Sequence, residues 1–289
     1  MQLYIYAKSG HNFGLENVRR ASALCNMLQQ EEPILCTSDY RAATFAKSEL
    51  GVVRGVGIDV IGNLPNVMER GDMLIYDDSD EASTTMQKHM KEFCKQIYKV
   101  GEEIPFDIVD ECYFEKHENS REKALFFSDD DYSNWFLELS KKSEKCCEIP
   151  LLWGHYFFFK NEDEFSKIYK EVIDEESYKE TIQTTKFLLT SSIHSCLESL
   201  ASGNFPVYFQ RLDKKETENY QLLEKYNIPI ITIEDVDTLD VIIQKYERII
   251  ENYPKVKQIV KFDITQIKKE ISDLLKIFES IKPSLEYKF

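Results

Sequence analysis

No run of this chain approaches the roughly 18 consecutive apolar residues of a membrane-spanning helix, and Gln2–Ala7 opens as a β-rich segment rather than as the basic and apolar regions of a secretory leader. The expectation is a protein neither inserted nor exported, with no transmembrane segment, working in the cytoplasm. Cysteine is sparse: Cys25, Cys36, Cys94, Cys112, Cys146, Cys147 and Cys196 form an odd set with no C-x-x-C pair. That argues against a disulfide framework and for reduced, buried thiols. Positive charge is in the minority, with 36 Lys and Arg against 51 Asp and Glu and a formal net charge of −15. Such a surface repels a duplex or an anionic lipid layer, so no nucleic-acid partner is expected. There is no short-period repeat and no low-complexity tract.

What is present is enough apolar material for a substantial core. Hydrophobic residues make up 43% of the 289, and aromatics 12%, a size that suggests about two domains. Short β-rich runs alternate with helical patterns, as in parallel βαβ units. In the first half the strands are LYIYA, Pro33–Thr37, Val52–Val60, Met73–Tyr76 and Phe93–Val100, with helices over about Glu16–Gln29, Asp39–Leu50 and Asn63–Arg70 and another around Met86 and Met90. The periodicity fades over Gly101–Ser120, a candidate linker. It restarts with strands at Ala124–Phe127, Pro150–Phe159, Phe187–Leu189, Val207–Gln210 and Pro229–Ile233, separated by helical segments. The expected organisation is a Rossmann-like lobe over residues 1–115, a second over 120–255, and a C-terminal helix in 256–289 packing across both.

Two segments carry candidate chemistry. Lys8–Leu24 leaves the first strand and runs into a helix, where backbone N–H groups and a positive helix end face an anion. Its glycines, Gly10 and Gly14, allow close backbone approach, though a plain tight turn also accounts for them. Their spacing is not G-x-G-x-x-G, so a nicotinamide cofactor is not supported. His11 is the histidine of this loop and a candidate acid or base; a loop histidine on the surface is the alternative. Asn17 opens the helix, and Arg19 and Arg20 follow. The second segment is Thr190–Phe209, in which Ser191, Ser192 and Ser195 sit near a helix start. There they either cap the helix or bind a phosphate or a sugar hydroxyl. His194 accompanies them, and Glu198 lies about two turns into the helix, placed to hold a ribose or sugar.

These segments resemble the GT-B glycosyltransferases, nearest the UDP-sugar hydrolases of pseudaminic acid biosynthesis and the N-acetylglucosaminyl transferases of peptidoglycan assembly. Ser191, Glu198, Gly203 and Pro206 match the second-lobe pattern, and the glycine loop with its histidine and following arginine is similar to the first-lobe one. The resemblance implies two Rossmann-like parallel-sheet lobes facing a cleft, with C-terminal helices. It implies a nucleotide-sugar-dependent glycosyltransferase or sugar-nucleotide hydrolase of surface glycan biosynthesis. His11 would then be the base, assisted by Arg19 or Arg20; Gly10, Gly14 and Asn17 would stabilise charge; and Ser191, Ser192, His194, Ser195 and Glu198 would hold the donor. The sequence departs from the pattern in three places. Leu15 stands where the hydrolases have their catalytic histidine, Arg19 lies one place beyond the family's arginine, and Ser128 is followed by Asp129, Asp130 and Asp131 instead of a glycine-rich turn.

Three carboxylates beside a diphosphate would repel it unless a divalent cation intervened. Asp77, Asp78 and Asp80 also follow an apolar strand, and Mg²⁺ is one reading of either acidic group, solvated helix-capping charge the other. No metal or other cofactor is required by the main reading, with the nucleotide sugar as substrate. Two further readings follow from the departures: a non-catalytic GT-B-like binding or assembly protein, and a metal-dependent phosphotransfer enzyme using Asp78 and Asp80. His155 reads as part of a packed strand edge, and His89 and His117 as surface residues.

Overall fold

The computed structural model describes residues 1–77, 84–214 and 218–285. The chain divides into two compact units, the first made of Met1–Ser9, Asn17–Asp110 and Lys261–Phe289, the second of Gly10–Glu16 and Glu111–Val260.

The first unit begins with β1 (Leu3–Ala7), α1 (Glu16–Met27, from its second residue onward), β2 (Ile34–Thr37), α2 (Tyr40–Glu49) and β3 (Gly55–Gly57). It continues with β4 (Met73–Asp77), α3 (Thr84–Phe93) and β5 (Gln96–Lys99). Among the described residues the strands form a parallel sheet of order β3-β2-β1-β4-β5. A central strand covered on both faces needs an unbroken apolar run, and LYIYA supplies one, buried at every position. Asp39 starts α2 by accepting the Ala42 N–H at 3.0 Å. Tyr4, Tyr6, Cys36, Leu74, Tyr76 and Met90 pack as one apolar cluster.

The second unit contains β6 (Arg121–Phe126), α4 (Trp135–Lys141), β7 (Leu151–Leu152), α5 (Glu162–Ile168), β8 (Val172–Ile173), α6 (Tyr178–Thr184) and β9 (Thr185–Thr190). It ends with α7 (Ile193–Ala201), β10 (Phe205–Phe209), α8 (Gln221–Tyr226), β11 (Ile230–Ile231) and α9 (Leu239–Glu251). Its strands are parallel in the order β11-β10-β9-β6-β7-β8. The core is aromatic: Phe127 stacks on Phe136 at 4.4 Å, and Phe136 and Phe157 both stack on Phe165. Each such side chain contributes about 2–3 kcal/mol on burial.

The last helix, α10 (Thr265–Leu285), belongs to the first unit. Ser272 donates to Glu31 at 2.7 Å, Tyr98 donates to Glu270 at 2.8 Å, and Ile271 is fully buried. The sequence reading differs here in two ways. The helix expected to pack across both lobes makes these contacts within one, and the loop expected in the first lobe, Gly10–Glu16, joins the second. Several strands are also shorter than the apolar runs that announced them. Val52–Val60 is strand only at its three central residues, and Asn63–Arg70 is replaced by a 3-10 turn over Ile61–Asn66.

Candidate functional site

In an open parallel sheet, the crevice that can take a ligand lies beyond the carboxyl ends of the strands where the strand order reverses. In the second unit that point falls between β6 and β9. The chain leaves β6 into Phe127–Asp131 and leaves β9 into Ser191–Ile193, and the two exits are tied by the Ser191 N–H donating to the Phe127 carbonyl at 2.9 Å. Ser191 Oγ also donates to the Phe209 carbonyl, at 2.6 Å, linking in the end of β10. A cavity of about 80 Å³ opens there, room for several water molecules. Ser128, Asp130, Ser191 and Ile193 line it from the switch loops, Phe13 and Glu16 from the loop after β1, and Tyr208, Gln210, Arg211 and Lys214 from the end of β10.

The three aspartates after β6 diverge. Asp129 accepts the Leu15 N–H at 3.2 Å. Asp130, 1% exposed, faces Lys214 at 2.8 Å, Arg211 at 3.3 Å and the Ser128 hydroxyl at 3.1 Å. Asp131 accepts the Phe136 and Leu137 N–H groups and so starts α4; burial nevertheless raises its pKa to about 6. Arg211 is held by Asp213 at 2.6 and 2.9 Å as well as by Asp130, and its guanidinium lies 4.4 Å from the Phe127 ring centroid. Burial opposes that charge, but the bonds to Asp213 and the charge of Asp130 push the Arg211 pKa up. The Asp213 carboxyl is disfavoured by burial, yet Arg211 holds it below the usual carboxylate range. The sequence alone suggests an uncompensated acidic turn; the fold pairs it with Arg211 and Lys214, some 80 residues later.

Helix α7 leaves four N–H groups without intrahelical partners at its start. Thr190 Oγ1 takes the Ser192 N–H and Ser192 Oγ takes the Ser195 N–H, which leaves those of Ile193 and His194 without a partner among the described residues. Ser192 and Ser195 are fully buried, with Ser195 Oγ donating to Ser192 Oγ at 2.7 Å. Tyr178 hydrogen-bonds Glu198 and lies 2.7 Å from Ser195 Oγ. His194 Nε2 is 3.4 Å from Glu198, both residues being almost fully buried. Of the donor-holding residues read from this segment, Ser191 lines the cavity, whereas Ser192, His194, Ser195 and Glu198 form an internal network behind it.

In the loop after β1, Gly10 and Gly14 have positive φ, and the Phe13 and Gly14 N–H groups both donate to the Gly10 carbonyl. A Cβ on Gly14 would lie 3.3 Å from Asp130 and 3.4 Å from Asp129, so the glycine allows the loop to approach the aspartate turn. His11 is exposed, stacked on Phe158 at 5.8 Å with Tyr156 at 5.0 Å. Asn17 accepts from Arg20, which is bound to Asp77 at 2.6 Å and lies over Phe106. Arg19 is 4% exposed, over Phe45 at 5.9 Å. These three belong to the first unit and His11 to the second.

Sequence reasoning missed Glu16, Arg211, Lys214 and Tyr208. Arg211 was within reach, because it follows the strand Val207–Gln210 at the carboxyl end where ligands bind. Among the described residues no three His, Cys, Asp or Glu side chains group as metal ligands; Asp78 and Asp80 lie outside the described residues.

No family model matches this chain, and no curated protein matches it in sequence. Solved structures do. A Listeria monocytogenes protein provisionally assigned as a UDP-N-acetylglucosamine 2-epimerase aligns with TM-score 0.51 at 8% identity, over 87% of this chain and 89% of its own. The Neisseria meningitidis UDP-GlcNAc 2-epimerase bound to UDP-GlcNAc aligns at 0.46 and 11%, covering 95% and 94%. E. coli heptosyltransferase WaaC with ADP-2-deoxy-2-fluoro heptose aligns at 0.44 and 11%, covering 86% and 99%. The chain is therefore a GT-B-like α/β protein built from two Rossmann-like parallel sheets.

Proposed function

We propose that this chain binds a nucleotide-activated sugar at the switch point of its second unit and transfers or hydrolyses it in glycan biosynthesis. The observation that carries the reading is the coincidence of a cavity with the reversal between β6 and β9, lined by Ile193 at the start of α7. A helix start of this kind favours the charge of a diphosphate. The shared fold with the Listeria protein is consistent with a sugar-nucleotide ligand, and the resemblance to the pseudaminic acid hydrolases and the peptidoglycan N-acetylglucosaminyl transferases rests in the second unit on Ser191, Glu198, Gly203 and Pro206. In this reading His11 takes the proton from the acceptor or from water, Ser191 contacts the donor, and the Tyr178–Glu198–Ser195 network holds α7 in place. A thermal-shift series with UDP-, GDP-, CMP- and ADP-sugars, with and without Mg²⁺, tests it. Stabilisation by one nucleotide class is expected, and no shift from any would retire the proposal. Ser191→Ala is expected to weaken that ligand about tenfold while costing only about 1 kcal/mol of stability.

A second reading, a GT-B-like binding protein without catalysis, is favoured by one observation: the basic residues expected to assist are internal, Arg20 on Asp77 and Arg19 over Phe45. A ligand that stabilises the protein but is neither hydrolysed nor transferred over a day at high enzyme concentration would select it.

A further inference from the structure

We infer that Glu16 is the specificity-determining residue of the switch-point cavity, and that the part of a ligand entering it is the uncharged, hydroxyl-bearing edge of a ring rather than a phosphate. This rests on the proposal that the cavity is a ligand site and says what it reads. A guanidinium has five N–H donors, and those of Arg211 are taken: Nε and Nη2 by Asp213, Nη2 again by Asp130 Oδ2, and Nη1 by the Asp130 carbonyl and Oδ1. None is left for a bidentate clamp on phosphate. Lys214 is paired with Asp130, so the two cations balance Asp130 and Asp213, and Glu16 leaves the wall with excess negative charge.

The hydrogen-bonding groups point the same way. Ser128 gives its one hydroxyl proton to Asp130 and Ser191 gives its own to the Phe209 carbonyl. Both then meet a ligand as acceptors. Glu16 accepts no hydrogen bond from any described residue and lies close enough to Tyr208 to raise the pKa of its hydroxyl, after burial itself. Glu16, Ser128 and Ser191 thus present lone pairs on one side of the cavity, where they take O–H and N–H donors, while the Ile193 N–H and Lys214 lie elsewhere in its lining. The cavity of about 80 Å³ has room for the hydroxyl pair of a ribose or a pyranose.

NMR titration of the full chain distinguishes the sources with uridine, 2′,3′-dideoxyuridine, N-acetylglucosamine and inorganic pyrophosphate. Uridine or N-acetylglucosamine is expected to perturb the Glu16, Ser128 and Ser191 amides, the first pointing to ribose and the second to the sugar. Glu16→Gln should weaken that ligand at least tenfold, and dideoxyuridine should not bind where uridine does. Ser128→Ala, expected to weaken the same ligand severalfold, serves if Glu16→Gln does not fold. Pyrophosphate held at these amides more tightly than either polyol, a polyol affinity indifferent to Glu16→Gln, or no polyol response would each overturn the inference. Glu16-dependent polyol binding without any response to nucleotide sugars would instead retire the donor proposal and leave this one standing.

Discussion

Asp131 is 2% exposed, and both its oxygens accept backbone N–H groups, yet burial lifts its pKa to about 6. An acid whose folded pKa exceeds its unfolded value of about 3.9 binds more protons in the folded state between the two. Its contribution to stability is therefore full below about pH 4, falls as pH rises toward 6, and is level above that, a loss of about 2–3 kcal/mol. Asp131→Asn is expected to flatten this fall, checked by urea unfolding of both proteins at pH 4.5 and pH 7. Arg20 gives the opposite case, a buried charge already paired. With Arg20 and Asp77 each 2% exposed at 2.6 Å, Arg20→Met strands a carboxylate and is expected to cost about 3–5 kcal/mol in the same assay. At this scale the sequence was legible only in part. Ser191 could be placed because a strand, a serine turn and a helix follow one another locally. Glu16 and the pairing of Asp130 with Arg211 could not, because what joins them is strand order, and an acidic run reads as solvated charge until its distant cation is known.

Helix α7 was the most legible element. The serine turn and Gly203 bracket it, and it spans Ile193–Ala201. Its apolar, helical spacing and its cap at Ser192 are local properties. Pro150–Phe159 misled for a physical reason: its aromatic residues fit a strand, but only Leu151–Leu152 joins the sheet. The rest turns at Gly154, where Phe157 and Trp153 pack edge to face and the Tyr156 N–H donates to the Asp129 carbonyl at 2.7 Å. A Cβ on Gly154 would sit 2.3 Å from the Ser128 carbonyl. Gly154→Ala must therefore push the Ser128–Asp131 turn, and a loss of about 1–3 kcal/mol together with weakened ligand binding is expected, read by thermal melting and titration of the variant. Helix-scale features survive in sequence because their contacts are near neighbours; this turn depends on a contact 26 residues away.

At the scale of the whole molecule, alternating strands and helices were enough to predict two parallel sheets, since the βαβ pattern permits few other arrangements. The division of the chain between them was not, because seven residues depart from their sequence neighbours. Residues 10–16 carry fully buried Leu15, whose N–H binds Asp129, and His11, which stacks on Phe158 and tilts against Tyr156. The second unit is consequently discontinuous, and no one break in the gene frees it intact. A fragment of residues 111–260 is expected to expose those rings, to bind a hydrophobic dye that the whole chain does not, and to lack Phe13 and Glu16 from its cavity wall. Anyone wishing to graft or trim this protein must carry a short peptide from near its amino end along with the distant half it completes.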